Sequence, residues 1–304
     1  MKPSLSVLIL THNETLHLRR CIESVQPFAQ AVFIVDSHSS DNTLAIARAL
    51  GAEVYQNKWV NYAEQFNWGL ENCPIATQWV MRMDADEYVT PELQQEILAK
   101  LPTMSQEHTA VYVKRRVHFM GKWIKKGGYY PIWLLRLWHH DKGFCEKRWM
   151  DEHIKVTTGS PVFFEHDLVD DNMNDLTWWS TKHNHYATRE LVDLLNIRYN
   201  FLQYDEVDPA LFGSQEQRKR WLKIKYASLP LFTRPFIYFL YRYFIKLGFL
   251  DGTKGLIWHF LQGFWYRFLV DAKVYDIKRR AKLSGKPLVV EVERYLGKPL
   301  RSKV

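Results

Sequence analysis

The sequence predicts an α/β fold with a mostly parallel central sheet, followed by a helical extension. Short apolar segments alternate with segments of helical periodicity through the first 100 residues, and this alternation implies parallel strand pairing. Polar residues follow three of the apolar segments directly. The last third of the chain is basic, aromatic and helical in pattern. We therefore predict an α/β domain at 1–213, with halves 1–100 and 101–213, and a helical extension at 214–304.

The predicted elements follow from the periodicity of apolar residues. Strands of four to eight residues are expected to be apolar and short, whereas helices repeat apolar residues every three or four positions. The segment Thr90-Pro91-Glu92 resembles a helix start, with Thr at the N-cap and Pro in the first turn. The predicted strands are 5–10, 31–35, 53–55, 79–83, 110–119 and 134–138, and the first helices are 13–25, 42–50 and 62–70.

Composition and charge exclude several classes of protein. The three cysteines are scattered and form no CxxC pair, which argues against a disulfide framework or a zinc site and favours a cytoplasmic setting. The first strand is too short for a secretory signal, and no stretch approaches the roughly 20 apolar residues that span a bilayer. Net charge is +8, but residues 214–304 hold 20 Lys or Arg against 6 Asp or Glu. A basic surface of this kind suits anionic lipid, nucleic acid or an acidic substrate.

The most informative motif is Asp84-Ala85-Asp86 at the end of the fourth predicted strand. Open α/β sheets bind ligands outside the carboxyl ends of their strands. Carboxylate oxygens suit Mg²⁺ or Mn²⁺, and Mg²⁺ is usually held by one or two carboxylates together with substrate phosphates. The pattern favours a metal–diphosphate site, although a solvated turn before a helix would have the same sequence.

Two further polar blocks strengthen the prediction of a site. Residues 11–14 follow the first strand and residues 36–41 follow the second, so three strand ends are expected to meet in one crevice. The first turn lacks the glycine pattern of a dinucleotide-binding fold. A metal-dependent nucleotidyltransferase and a non-catalytic carbohydrate-binding or membrane-binding module remain alternatives. Dispersal of the carboxylates in space would favour the non-catalytic module.

The three blocks together resemble a family 2 glycosyltransferase over about residues 4–185, and more narrowly bacterial enzymes that build lipopolysaccharide core or other surface polysaccharide. The blocks are 5–14, 34–43 and 83–87. The resemblance implies a GT-A (Rossmann-like) fold and inverting transfer from a nucleotide diphosphate sugar, with a UDP-hexose as the expected donor. A lipid-linked saccharide or lipopolysaccharide core would be the acceptor.

The resemblance also implies roles for individual residues. Asp36 should lie by the base and ribose, Asp84 on the nucleotide-sugar side of the site, and Asp86 on the metal. The residues implied to line the nucleotide-sugar pocket are Thr11, Asn13, Glu14, Asp36, Asp84 and Ala85.

Inverting transfer also needs a general base for the acceptor hydroxyl. The cluster Asp151-Glu152-His153 matches the region in which the family carries this base. Adjacent residues of a strand point to opposite faces, so only one of Asp151 and Glu152 can face the sugar, and Asp151 is slightly favoured. His153 is a further candidate metal ligand, with a structural role as the alternative.

Acceptor-side residues are expected between the base and the extension. His166, Trp178 and Lys182 are the candidates, because aromatic faces and cationic groups suit sugars and phosphates. A buried aromatic helix with a solvated basic face explains Trp178 and Lys182 equally well.

The extension is predicted to dock on the inner face of the cytoplasmic membrane. From Trp221 to Phe268, 16 of 48 residues are aromatic. On a helical wheel Arg234, Arg242 and Lys246 fall in one sector and apolar residues in another, as in helices that lie in a membrane interface. Packing on the catalytic domain and homo-oligomerisation are the alternatives. No nucleic-acid-binding module is recognisable.

Overall fold

The computed structural model describes residues 2–146, 153–201, 212, 215–297 and 299–300. The chain separates into two compact units, Met1–Asn174 and Asp175–Val304. The second unit begins with a 24-residue helix at Leu176 that packs with the carboxyl-terminal helices. The domain boundary predicted at residue 213 stays a prediction. Each unit is described by itself.

The amino-terminal unit contains eleven strands and four helices among its described residues. The strands are β1 (Leu5–Thr11), β2 (Ala31–Asp36), β3 (Glu53–Gln56), β4 (Trp79–Asp84), β5 (Glu87–Val89), β6 (His108–Phe119), β7 (Lys122–Ile124), β8 (Ile132–His139), β9 (Gly143–Cys145), β10 (Ile154–Val156) and β11 (Ser160–Asp171). The helices are α1 (Leu18–Val25), α2 (Thr43–Ala49), α3 (Tyr62–Asn72) and α4 (Pro91–Lys100).

The main sheet has the order β3-β2-β1-β4-β8-β6-β11-β5, with β7 paired to β6. Strands β3, β2, β1 and β4 are parallel, as the alternation of strands and helices predicted. Beyond β4 the sheet is mixed: β8 is antiparallel to β4 and β6, β11 is parallel to β6, and β5 is antiparallel to β11. The predicted α/β class is confirmed, and β9 and β10 form a small separate sheet.

Successive residues of β1 point to opposite faces of the sheet and bury two hydrophobic layers. Val7 and Ile9 contribute to the layer that contains Leu18 of α1 and Leu93 of α4. Leu8 contributes to the other layer, beside Phe66 of α3. Because β1 is covered on both faces, its sequence is apolar apart from Ser6 and Thr11, as expected for a central parallel strand.

Helix α4 begins where the sequence predicted. The Thr90 side chain accepts a hydrogen bond from the Leu93 amide, and Pro91 occupies the first turn. The cap satisfies a backbone N–H that would otherwise lack a partner.

The described residues of the carboxyl-terminal unit form helices and connecting segments, and no strand occurs among them. Its α-helices are α5 (Leu176–Tyr199), α6 (Gln215–Ser228), α7 (Thr233–Leu240), α8 (Gly252–Trp258), α9 (Tyr266–Ser284) and α10 (Leu288–Leu296). Two π-helical segments, Tyr241–Ile245 and His259–Trp265, follow α7 and α8. In the part of the chain that the structure covers, no helix has both the length and the apolar character needed to cross a bilayer.

The structure corrects the helical wheel on which the basic sector was based. Helix α7 ends at Leu240 and a π-helical turn follows, so a constant 100° step does not extend to Arg242 and Lys246. Arg234 is only 2% exposed, and its Nε donates to Asp271 Oδ1 at 2.8 Å. Its assignment to an exposed basic face was therefore wrong, since a guanidinium in this interior needs a carboxylate partner.

Candidate functional site

The carboxyl ends of β2, β1 and β4 lie side by side at one edge of the sheet. In the β1–β2 register Thr11 is opposite Asp36, and in the β1–β4 register Leu10 is opposite Asp84. The three polar blocks are therefore neighbours. The dispersal that would have favoured a non-catalytic module does not occur.

Asp36 is a fully buried carboxylate held by several donors. Its Oδ1 accepts a hydrogen bond from the Thr11 hydroxyl at 2.8 Å and another from the Ser39 hydroxyl. Its Oδ2 accepts from the Ser39 amide at 2.8 Å and from Gln56 Nε2 at 3.4 Å. Such a set of donors fixes the orientation of the carboxylate and compensates its removal from water.

The loop after β1 is hydrogen-bonded to the loop after β2. Asn13 has a left-handed backbone (φ 58°), a conformation that Asn tolerates better than most residues. Its amide donates to Ser39 Oγ and its Oδ1 accepts from the Ser40 amide, at 2.8 and 2.9 Å. The Glu14 amide donates to Thr43 Oγ1 at 2.8 Å. The two loops thus form one hydrogen-bonded wall, with Thr11, Asn13 and Glu14 in it.

The Asp41 side chain is bonded to residues in the loop before α1 and at the start of α2. Its Oδ1 accepts a hydrogen bond from the Thr43 amide at the start of α2. Burial acts to raise the pKa of Asp41, but hydrogen bonds from Thr15 and Thr43 outweigh burial and lower it.

Asp84 and Asp86 have different neighbours, although only Ala85 separates them. Asp84 Oδ1 accepts a hydrogen bond from the Tyr62 hydroxyl at 2.6 Å, and Oδ2 lies 3.5 Å from Arg136 Nη2. Asp86 Oδ2 accepts from Asn172 Nδ2 at 2.9 Å. Ala85 is buried in the core, which anchors the turn and leaves the two partly exposed carboxylates at its rim.

A buried ion pair, which the sequence analysis did not identify, supports this turn. Glu87 and Arg136 are 1% and 3% exposed and are in direct contact. Glu87 Oε2 also accepts a hydrogen bond from the Asp84 backbone amide at 2.9 Å. Burial raises the pKa of Glu87 to about 8, while the Arg136 charge acts in the opposite direction. An arginine within the apolar strand β8 was the signal in the sequence, because such a residue needs a buried acid.

The carboxylate pair matches the oxygen chemistry that Mg²⁺ and Mn²⁺ prefer. Within residues 2–146, 153–201, 212, 215–297 and 299–300, the structure contains no group of three or more His, Cys, Asp or Glu side chains that could hold a metal by themselves. A site made of Asp84, Asp86 and donor phosphates does not require such a group, since Mg²⁺ usually binds one or two carboxylates plus phosphates and water. The residues present are compatible with a cation held jointly with the diphosphate.

The predicted base lies outside the described residues. Asp151 and Glu152 both fall there, so neither assignment is tested. His153 lies just before β10, and its backbone N–H donates to Glu146 Oε1 at 3.2 Å. Its role as a metal ligand stays a prediction.

The acceptor-side candidates lie in two different units. His166 is on β11, where its Nδ1 and Glu96 Oε2 are 2.8 Å apart. Burial acts to raise the pKa of Glu96, but hydrogen bonds from Lys100, Glu165 and His166 lower it to about 2. Trp178 and Lys182 lie on α5 in the other unit, with Lys182 Nζ 4.5 Å from the Trp178 ring centroid.

The chain is similar to known proteins over most of its length. Residues 6–173 match the family described as Glycosyl transferase family 2. This chain belongs to that family, and its fold is the GT-A arrangement expected from the resemblance. A metal-dependent nucleotidyltransferase is thereby disfavoured.

Two curated relatives show how far the similarity extends. The lipopolysaccharide core biosynthesis glycosyltransferase LpsC of Rhizobium meliloti is 30% identical over 95% of this chain and 97% of its own length. An uncharacterized glycosyltransferase of Rickettsia typhi is 28% identical over 91% of this chain and 89% of its own. Both matches extend well beyond residue 213, so the helical extension is shared with these relatives.

Solved structures provide a more distant comparison. A mannosyltransferase of Pyrobaculum calidifontis in complex with GDP-Man and Mn²⁺ gives a TM-score of 0.49 at 12% identity, covering 90% of this chain and 88% of that one.

Proposed function

We propose that this glycosyltransferase moves a hexose from a nucleotide diphosphate sugar, expected to be a UDP-sugar, to a lipid-linked saccharide or lipopolysaccharide core, with inversion at the donated sugar. The observation that carries the proposal is the wall of strand-end loops beside Asp84 and Asp86 in a family 2 chain. The similarity to LpsC supports the acceptor class.

The donor's nucleoside is assigned to the wall formed by the first two loops. Asp36 presents a carboxylate whose orientation is fixed by Thr11 and Ser39, which suits recognition of N–H or O–H groups on a base or ribose. Asn13 and Glu14 hold the loop that would close over the nucleotide. Asp84 and the Ala85 backbone would lie on the sugar side.

Asp86 is assigned to the metal, with Asp84 as its neighbour and His153 as a further candidate ligand. A bound Mg²⁺ or Mn²⁺ would neutralise charge on the departing nucleoside diphosphate. Asn172, by donating to Asp86 Oδ2, orients the carboxylate so that its other oxygen can bind the cation. Tyr62 and Arg136 hold Asp84 in position.

Asp151 or Glu152 is assigned as the general base. The base takes the proton of the acceptor hydroxyl as its oxygen attacks the anomeric carbon from the face opposite the diphosphate. The new glycosidic bond forms while the bond to the diphosphate oxygen breaks. This displacement inverts the configuration.

A panel of nucleotide sugars incubated with lipopolysaccharide core acceptors tests the reaction. The released nucleoside diphosphate is identified by mass spectrometry, and NMR coupling constants give the anomeric configuration of the product. We expect transfer that stops with EDTA and returns with Mn²⁺ or Mg²⁺. Retention of configuration would contradict the proposed inversion. Transfer that persists fully in EDTA would contradict the proposed metal dependence.

We also propose that the carboxyl-terminal unit docks on the cytoplasmic face of the membrane. Exposed large apolar side chains are concentrated in what we call the apolar segment: Phe236, Ile237, Leu240, Tyr241, Phe244, Ile245, Leu247, Phe249 and Leu250. Isolated exposed apolar residues are ordinary, but a concentration of this kind marks an interaction surface. Insertion of these side chains among lipid acyl chains would remove them from water.

The charges around the apolar segment favour an anionic bilayer over a second protein copy. Between residues 217 and 270 the sequence has one acidic residue, Asp251, which is 4% exposed. Lys246 and Lys254 are exposed beside the segment and suit anionic headgroups. Flotation with vesicles containing phosphatidylglycerol tests the proposal. We expect binding that persists in part at high salt, whereas concentration-dependent oligomerisation without flotation would favour the alternative.

A further inference from the structure

One strongly cationic and aromatic surface of the amino-terminal unit has no part in the donor site. Lys114, Arg116 and His118 occupy alternate positions on β6, so their side chains share one face of the sheet. Trp123 of β7 is paired with His118, and Trp133 of β8 is paired with Lys114. We call this surface the β6 strip.

Cationic groups of the strip lie over its aromatic rings. The Arg116 guanidinium is 4.4 Å from the Trp123 ring centroid, and Lys125 Nζ is 4.2 Å from the same ring. Lys114 Nζ lies 5.7 Å from the Trp133 centroid and 5.8 Å from that of Tyr130. These distances fall within the range of cation–π attraction. The strip therefore combines aromatic rings with positively charged groups.

Nearby carboxylates neutralise the strip only in part. Asp167 accepts hydrogen bonds from Arg116 Nε at 2.7 Å and from the Tyr130 hydroxyl at 2.9 Å, and it lies 4.0 Å from Lys114 Nζ. One buried carboxylate thus faces two cations. Two cations against one carboxylate leave one positive charge in excess.

Two ion pairs beside these groups are balanced, in contrast to the strip. Arg115 pairs with Asp170 at 3.4 Å, and Arg20 pairs with Asp171 at 2.6 Å. Each of these cations has its own carboxylate. The excess positive charge is therefore a local property of the strip rather than of the whole edge.

The strip begins close to the proposed metal ligand. In the β6–β11 register His118 is opposite Asp171, and the Asp171 amide donates to the Asp86 carbonyl at 3.2 Å. From His118 to Lys114 the strand advances about 13 Å at its ordinary rise. The nucleotide wall is built on β1 and β2, on the other side of β4 and β8. A ligand on the strip would approach Asp86 from the side opposite the nucleotide.

We propose that the β6 strip is a subsite for an anionic saccharide, namely a part of the acceptor that carries phosphate or carboxylate groups. The solvent-accessible parts of Trp123 and Trp133 would contact sugar rings, and Lys114 and Lys125 would attract the anionic groups. The inference rests on the proposed function for the identity of the bound saccharide as acceptor. It adds the chemical character of that acceptor and where it binds.

The probe is deacylated lipopolysaccharide core oligosaccharide. It is tested in four forms: untreated, dephosphorylated, carboxyl-reduced, and both dephosphorylated and carboxyl-reduced. Saturation-transfer NMR without donor measures binding, and steady-state kinetics with donor measures the KM of each substrate. The variants are Lys114→Gln, Lys125→Gln and Trp123→Leu. Arg48→Gln is the matched control, since Arg48 is an exposed cation on α2.

We expect each lysine variant to weaken binding of the untreated oligosaccharide by about three- to five-fold, the range of one partly screened charge pair. Trp123→Leu should weaken every form, and the donor KM should stay unchanged throughout. Loss of the lysine effect after dephosphorylation identifies phosphate as the anion, and loss after carboxyl reduction identifies carboxylate.

Equal weakening of untreated and doubly treated oligosaccharide in the lysine variants would overturn the proposal, as would variants that bind like wild type or change only the donor KM. The NMR arm needs no turnover. If the enzyme binds the oligosaccharide at the strip but transfers no sugar, the proposed function is contradicted. The proposal that the strip binds an anionic saccharide would still stand.

Discussion

The two units of this protein distribute polar and apolar groups in opposite ways. In the amino-terminal unit, Asp84 and Asp86 are partly exposed at a sheet edge while the apolar residues are buried. In the carboxyl-terminal unit, the Arg234–Asp271 pair is buried while Ile245 is 71% exposed. A polar crevice suits a soluble, charged donor, and an apolar exterior suits lipid. Under the proposed function, one chain combines these two binding chemistries in separate units.

The largest expected effect tests whether the buried Arg234–Asp271 pair stabilises the carboxyl-terminal unit. Arg234→Ala leaves the Asp271 carboxylate buried without its partner, and we expect it to lower the free energy of unfolding by about 3–5 kcal/mol. Urea-induced unfolding followed by tryptophan fluorescence measures this change. The control is Arg280→Ala, whose exposed pair with Asp276 should contribute less than about 1 kcal/mol.

A double substitution, Arg234→Met with Asp271→Leu, should recover most of the stability, because apolar replacements of buried pairs are often neutral. Similar losses for Arg234→Ala and Arg280→Ala would remove the proposed contrast between buried and exposed charge.

The amino-terminal unit should show the reverse, with loss of activity and little loss of stability. Asp86→Ala removes an electrostatic contribution to the reaction, and we expect kcat to fall by about 10²–10³-fold with the melting temperature nearly unchanged. Steady-state transfer assays and calorimetry measure the two quantities. Glu71→Ala, on an exposed part of α3, is the matched control and should behave as wild type. A folded Asp86→Ala enzyme with full activity would exclude the metal-ligand assignment.

Acid should destabilise the carboxyl-terminal unit first. Burial, assisted by Arg242, lowers the pKa of His259 from 6.5 to about 4. The folded state therefore favours neutral His259, and this contribution, about 3 kcal/mol, is complete above pH 6.5 and is lost as pH falls toward 4. The contribution of Glu96 is lost at lower pH. Its pKa is lowered from 4.5 to about 2, so the loss begins only below pH 4.5.

Free energies of unfolding measured between pH 7 and 4.5 test this difference. We expect the decline in wild type to be reduced in His259→Gln and to be retained in Glu96→Gln. Identical slopes in wild type and His259→Gln would show that His259 does not produce the decline.

The smallest expected effect concerns single side chains of the apolar segment. Ile245→Asn or Leu250→Asn should weaken vesicle binding by roughly ten-fold each, since burial of one such side chain contributes about 1.5–3 kcal/mol. Cosedimentation with phosphatidylglycerol vesicles measures the partition. Leu283→Asn is the control, because Leu283 is 74% exposed on α9 but lies outside the segment. An effect of Leu283→Asn as large as that of Ile245→Asn would argue against a localised membrane contact.

Local sequence signals predicted the first four strands and the three polar blocks, because each depends on residues close together in the chain. Contacts made over long sequence distances could not be predicted in the same way. Arg136 reaches Asp84 across 52 residues and Asn172 reaches Asp86 across 86 residues, and no spacing rule connects them. The exposed position predicted for Arg234 was wrong for the same reason, because its partner Asp271 is 37 residues away in the sequence. The helical wheel could not relate Arg234 to Arg242 and Lys246, since a π-helical turn interrupts the α-helix.

The position of β5 gives the Asp84–Glu87 connection a mechanical role as well as a chemical one. Strand β5 follows β4 after two residues, yet β8, β6 and β11 lie between them in the sheet. Four strand spacings across a flat sheet measure about 19 Å, whereas three Cα–Cα steps reach at most about 11 Å. The sheet must therefore curl until its last strand approaches β4. The short Asp-Ala-Asp connection limits the distance between β4 and β5. An inserted residue would therefore both reduce the curvature of the sheet and move the two carboxylates apart.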